Sequence, residues 1–99
     1  MFDKAKKMWE LQGKAKKLQK ELREMEFVGE ELGGKVKVTL NGEQKVISIE
    51  IDDSLINLEQ KESLVKFLSQ AFTSAVKKSQ QTAANKTKDI VGGLGIPGL

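Results

Sequence analysis

In residues 35–51, KVKVTLNGEQKVISIEI, polar and apolar side chains alternate on both sides of an Asn-Gly pair. A period of two puts Val36, Val38 and Leu40 on one face of a strand, and Ile47, Ile49 and Ile51 on one face of the strand that returns. Asn41-Gly42 supplies residues suited to the positive φ angles of a tight hairpin turn. A loop of two residues or of four keeps the two apolar faces matched, because either length changes the pairing by an even step. These six side chains are the sheet's expected share of the core. Upstream, Phe27-Val28-Gly29-Glu30-Glu31-Leu32 fits a further short strand, ended by Gly33-Gly34.

Before the strands the period changes. Met8, Leu11, Ala15, Leu18, Leu22 and Met25 recur at intervals of three and four, the seam of a heptad pattern, and predict a helix from about Asp3 to Glu26. At 1.5 Å per residue that helix is roughly 36 Å long, more than a small sheet can cover. Part of the seam, represented by Met8, Leu11, Leu18, Leu22 and Met25, is therefore expected to meet another helix, in this chain or in a partner. After the hairpin, Asp52-Asp53-Ser54 ends the strand, and Asn57-Leu58-Glu59-Gln60 has the form of a capping box, with Asn57 as the cap and Gln60 reaching back. A second helix is expected to about Asp89, buried along Leu64, Val65, Leu68, Ala71, Phe72, Ala75 and Val76. That stripe fades past Val76, so the last turns are expected to project or fray. The reading is an α+β protomer of order helix, strand, strand, strand, helix: one domain over residues 1–91 and a flexible glycine-rich tail over residues 92–99.

A chain of 99 residues, 38% hydrophobic and with only five aromatic side chains, buries a thin core. Pairing with a second copy would thicken it. With neither cysteine nor histidine, the chain lacks disulfides, thiolate chemistry and the commonest general base, and a reducing cytoplasm is the simplest setting. Neither the start nor the segment from Ile90 to Leu99 offers an apolar run of membrane-spanning length, so no membrane association is expected.

The net charge of +3 is modest, but its distribution is uneven. Residues 1–20 carry a net +5, residues 21–34 a net −4 and residues 64–99 a net +4. Lys6, Lys16, Lys17, Lys20 and Arg23 lie on the side of the first helix opposite the seam, with Trp9 among them. A row of point charges on a rigid rod suits phosphates whatever the base sequence, and Trp9 could stack on a base or sugar. Against this, lysine-rich helix faces are commonly just solvated, and a Trp beside a seam more often widens a helical interface. Lys77 and Lys78, with Lys86 and Lys88, make a second basic cluster. Asp52 and Asp53 are the nearest approach to a carboxylate pair, but aspartates at a strand end ordinarily serve the turn. No catalytic residue, metal ligand, cofactor or small-molecule substrate is therefore assigned. Gly92-Gly93-Leu94-Gly95 lacks the spacing of a phosphate loop.

Taken in order, the Met-Phe start, the Lys/Gln/Glu-rich first helix, Val28-Gly29-Glu30, Gly33-Gly34, Val36 to Gly42, Ile49-Glu50-Ile51-Asp52 with Ser54-Leu55, Ala71-Phe72 and the Gly-Leu-Gly-Ile-Pro-Gly tail resemble the YbaB/EbfC family of bacterial nucleoid-associated proteins. The resemblance covers nearly the whole chain. It implies a tweezer-like homodimer with protruding helical ends, duplex DNA binding of low sequence selectivity, and a part in organising the nucleoid or tuning expression. It carries over no base-reading residue, only basic helices: Lys6, Lys14, Lys16, Lys17, Lys20, Arg23, Lys77 and Lys78. Two departures are the missing glycine-rich insert after Met1-Phe2, which shortens the arm's tip, and Asp53 where a proline is common, which changes the stiffness of a turn. The alternative, since two helices flanking a hairpin resemble a shortened prefoldin subunit, is a protein-binding coiled-coil module or holdase-like chaperone.

Overall fold

The computed structural model describes residues 2–93. Helix α1 (Phe2–Glu24) leads into a three-stranded antiparallel sheet, β1 (Glu26–Glu31), β2 (Val36–Asn41) and β3 (Val46–Ile51), and helix α2 (Lys61–Gly93) follows. The α+β order matches the alternation and heptad patterns of the sequence. The rod-like molecule measures 67 × 23 × 17 Å.

Helix α1 stops two residues short of Glu26 because the sheet claims that residue: Glu26 pairs with Asn41, and β1 runs in register to Glu31 opposite Val36. Met25, expected at the end of the helical seam, is the link between helix and strand. The turn into β2 takes positive φ at Leu32, Gly33 and Gly34 (54°, 66° and 91°), a run that two glycines adopt without the clash of a Cβ.

The hairpin between β2 and β3 takes the longer of the two loops the sequence allows. The positive φ falls on Gln44, in a four-residue loop organised by Asn41. The Asn41 side-chain oxygen accepts from the backbone N–H groups of Glu43 (2.9 Å) and Lys45 (3.0 Å), while its own N–H donates to the Lys45 carbonyl. The register also slips by one between Thr39 and Leu40, so that Val38 faces Ile49 but Leu40 faces Val46. Ile47 is skipped as a bulge, and the even-step matching of faces fails at this end of the hairpin.

Helix α2 lies across β1 and β2. A Cβ on Gly29 of β1 would stand 1.8 Å from the Ala71 carbonyl oxygen, so helix and strand backbones touch there. Ala71 and Ala75 are fully buried at this contact and complete, with Val36, Val38, Leu40 and Leu55, the apolar core. The buried stripe is rotated from the expected one. Phe67 packs against the core, whereas Val65 and Phe72 are 59% and 41% exposed. The small side chains of Ala71 and Ala75 set the facing side because they allow the close approach that Phe72 would prevent. Of β3 only Ile51 packs against the core, as expected; Val46, Ile47 and Ile49 are each about half exposed, contrary to the expectation that Ile47 and Ile49 form core.

At the start of α2 the Asn57 side-chain oxygen accepts from the Gln60 N–H at 2.9 Å, as a cap should. The return half of the capping box is not made; the Gln60 carbonyl instead accepts from the Leu64 N–H (2.8 Å) and the helix begins at Lys61. Past Val76 the helix projects, one of the two expected outcomes, and does not fray. Ser79 is fully buried and its hydroxyl donates to the Gly42 carbonyl (3.2 Å), and the helix continues through Gly92 and Gly93. The remainder of the expected tail, residues 94–99, lies outside the described residues.

Candidate nucleic-acid interface

The first helix touches the hairpin backbone to backbone at Gly42. The Gly42 N–H donates to the Leu22 carbonyl at 2.7 Å, and a Cβ on Gly42 would fall 2.4 Å from that oxygen. Gly42 is therefore needed for close approach, with Ser79 of α2 bonded to its other side. From this junction α1 runs back alongside the last turns of α2. Leu11, Ala15, Leu18 and Leu22 of the heptad seam share an apolar cleft with Thr87, Ile90 and Val91, so this part of the seam meets a helix of its own chain. Met8, nearer the free end, is 65% exposed. The product is a two-helix arm standing out from the sheet.

Ion pairing sorts the basic residues along that arm. At its base, the Arg23 guanidinium pairs with Glu43 at 2.9 Å, and the Gln19 amide donates to the same carboxylate at 3.3 Å. Lys86 pairs with Glu21 at 3.7 Å across the two helices. The Lys78 ammonium donates to the Val28 carbonyl of edge strand β1 at 2.7 Å. Arg23 and Lys78, both assigned to DNA from sequence, thus make contacts within the fold. Farther out, Lys6, Lys14, Lys16, Lys17 and Lys20 are exposed and in no ion pair among the described residues. Lys14 and Lys17 border a hollow shared with Glu21 and Asp89, while Lys6, Lys16 and Lys20 lie on the side away from the α2 cleft, as their heptad positions require. Lys77 is exposed on α2 beyond the sheet-facing side.

The segregation of charge is therefore sharper in space than in sequence. Of the acidic stretch from Glu21 to Glu31, Glu21 engages Lys86 across the arm, and Glu30, toward the far end of the sheet from the arm, engages Lys37. The free lysines occupy the outer length of α1, where lysines outnumber carboxylates and leave a net positive field.

A family model described as the YbaB/EbfC DNA-binding family matches residues 1–94. The chain belongs to the YbaB/EbfC DNA-binding family. Its curated relatives include a nucleoid-associated protein of Synechococcus sp. (strain JA-2-3B'a(2-13)), 36% identical over 94 residues, covering 95% of this chain and 84% of the relative. Another is a nucleoid-associated protein of Clostridium novyi (strain NT), 35% identical over 89 residues, covering 90% and 78%. Among solved structures, an uncharacterized Helicobacter pylori protein superposes with a TM-score of 0.78 at 24% identity, covering 85% of this chain and 88% of that one, and shares the fold.

Among the described residues no group of three or more acidic, Cys or His side chains is placed to hold a metal ion, and no helix is long and apolar enough to cross a membrane. Asp52, half of the candidate carboxylate pair, caps the turn Asp53–Leu55. Its carboxylate accepts from the hydroxyl and the backbone N–H of Ser54, which hold its pKa below the ordinary 3.8. Asp53 is the first residue of that turn. Asp52 serves the turn, as aspartates at strand ends do.

Proposed function

We propose that this protein binds duplex DNA with low sequence selectivity, as a non-catalytic homodimer that grips the phosphate backbone with its helical arms, and that it organises the nucleoid or modulates expression within the cytoplasm. The observation that carries the reading is the row of free lysines on the outer length of α1. Lys6 and Lys20 are about 21 Å apart along the helix axis, long enough to follow several successive phosphates. Lys6, Lys14, Lys16, Lys17 and Lys20 are the principal contacts in this reading, Lys77 a secondary one. Arg23 and Lys78 contribute less, because Glu43 and the Val28 carbonyl already engage them.

The homodimer draws support from the uncovered apolar face. Lys78 turns one side of α2 toward β1; Val65 and Phe72, 59% and 41% exposed, lie about 120–140° around the helix from it. Val46, Ile47 and Ile49 of β3 are about half exposed as well, and β3 is an edge strand with no partner on its outer side among the described residues. A second copy seated there would bury a surface that a solvated monomer exposes at a cost.

Titration of unrelated labelled duplexes over a range of salt concentrations tests this reading. The account expects saturable binding, similar affinities among sequences, and a steep fall with salt. Affinity that is unchanged by salt would remove the phosphate mechanism. The chaperone alternative rests on the same apolar face, and suppression of a client's aggregation by protein that binds no duplex would favour it.

A further inference from the structure

Trp9 and Gly13 sit one turn apart on the outer face of α1, and neither has an account within the protomer. Trp9, the only tryptophan in the chain, is 80% exposed. The opposite side of α1 meets α2 through Leu11, Ala15, Leu18 and Leu22, so the indole closes no contact of the arm. Gly13 occupies the middle of a 23-residue helix, where glycine is less favourable than alanine. A Cβ there would meet nothing within 4 Å, and its φ is not positive. Neither packing nor backbone conformation therefore calls for glycine at that position, in contrast to Gly29 and Gly42.

Together the two residues make a projecting aromatic ring beside a strip of bare helix backbone. Ala5 and Gly13 flank Trp9 at i−4 and i+4, so no long side chain crowds the ring along its own column. Lys6, Lys16 and Lys20 share the face. A second copy brought against this face would set those lysines against their own equivalents. A polyanion brought there meets opposite charge and, between its phosphates, apolar sugar and base edges. Charge thus selects the occupant.

The geometry points to Trp9 as a groove-contacting residue: its indole lies against the sugars and base edges of the DNA minor groove, and the bare backbone at Gly13 is where the flanking phosphate strand approaches most closely. Aromatic and apolar side chains are used in this way by proteins that grip DNA without reading its sequence. The inference rests on the DNA-binding reading and adds to it a contact that is apolar, so its strength does not depend on counterion release. Loss of a lysine lowers the slope of log affinity against log salt, whereas loss of Trp9 lowers affinity at every salt concentration and leaves the slope unchanged.

The test uses full-length protein, a short duplex carrying a fluorophore, and the intrinsic emission of Trp9, which no other indole obscures. Two variants, Trp9→Ala and Gly13→Gln, are compared after their helix content is checked by circular dichroism. The expected result is saturable quenching of Trp9 emission with the same midpoint as the duplex anisotropy. Trp9→Ala should bind about tenfold more weakly with an unchanged salt slope, and Gly13→Gln should weaken binding although it raises helix stability. If the duplex binds while Trp9 emission stays constant and Trp9→Ala binds like the parent protein, this inference falls and the DNA reading stands. Emission that shifts with protein concentration in the absence of DNA would show a contact between copies and would also overturn it. If no duplex binds at low salt, the DNA reading itself fails.

Discussion

Replacing Gly29 with alanine adds one methyl group at the point where α2 touches the sheet. The new Cβ would lie 1.8 Å from the Ala71 carbonyl oxygen, 2.8 Å from the Ala71 carbonyl carbon and 2.9 Å from the Ala75 nitrogen. All three are backbone atoms of a helix, so no rotamer change relieves the overlap. The helix has to retreat from β1 by more than an ångström, which loosens Ala71 and Ala75 against Val36, Val38 and Leu40. Overpacking of this kind costs up to about 3 kcal/mol when only backbone movement can relieve it. In a domain of this size that lowers Tm by roughly 12–24 °C. Thermal unfolding followed by circular dichroism, at one fixed protein concentration because assembly also shifts Tm, reads the effect. Gly13→Ala is the control: its Cβ meets nothing, and removing a helical glycine should raise Tm slightly. A Gly29→Ala protein melting within a few degrees of the parent would mean that α2 does not rest on β1 at this point.

Three further outcomes follow from the same contacts. Ser79→Ala removes the buried hydroxyl that donates to the Gly42 carbonyl and should cost about 1 kcal/mol in denaturant unfolding; a change below a few tenths would mean that the bond does not tie α2 to the hairpin. Asp52→Ala should destabilise the protein near neutral pH, by an amount that shrinks in acid. The Ser54 bonds hold the folded pKa below 3.8, so this stabilisation is present above the unfolded value and disappears as pH falls through the folded one. Urea midpoints from pH 7 to pH 3 test it, and a difference independent of pH would contradict the cause given. Phe72→Glu places a charge on the uncovered α2 face and should leave sedimentation showing a folded monomer; an unchanged dimer would move the interface elsewhere.

The architecture was legible where side-chain periodicity reports directly on a face. The alternation through Val36, Val38 and Leu40 marked β2, and the heptad seam marked α1. What escaped depends on surfaces that touch across long sequence separations. Asn41-Gly42 left the loop length open between two residues and four; Asn41 organises the longer loop, and Gly42 is bare because Leu22 presses against it. Phe72 outweighs Ala71 in any hydrophobic pattern, yet the close approach at Gly29 selects small side chains for the buried stripe. The glycine inside a strand at Gly29 was the available signal for that approach. The charged segments of the arm were visible in the sequence, but which charges remain free was not. Arg23 and Glu43, or Lys78 and Val28, meet only after the helices fold back on the sheet.

The central claim is that free lysines on α1 hold DNA by its phosphates, and a salt titration of Lys16→Gln/Lys17→Gln/Lys20→Gln measures it most directly. Each phosphate contact contributes about 0.9 to the slope of log affinity against log salt. Three lost contacts therefore reduce the slope by about 2.7 for each arm that engages the duplex, and weaken binding by roughly 500-fold per engaged arm at 0.1 M salt, with the difference closing toward 1 M. Arg23→Gln, whose side chain is already paired with Glu43, should change the slope by less than one of these lysines does. A triple variant that binds with the parent's slope and affinity would contradict the account and place the DNA surface, if there is one, away from this arm.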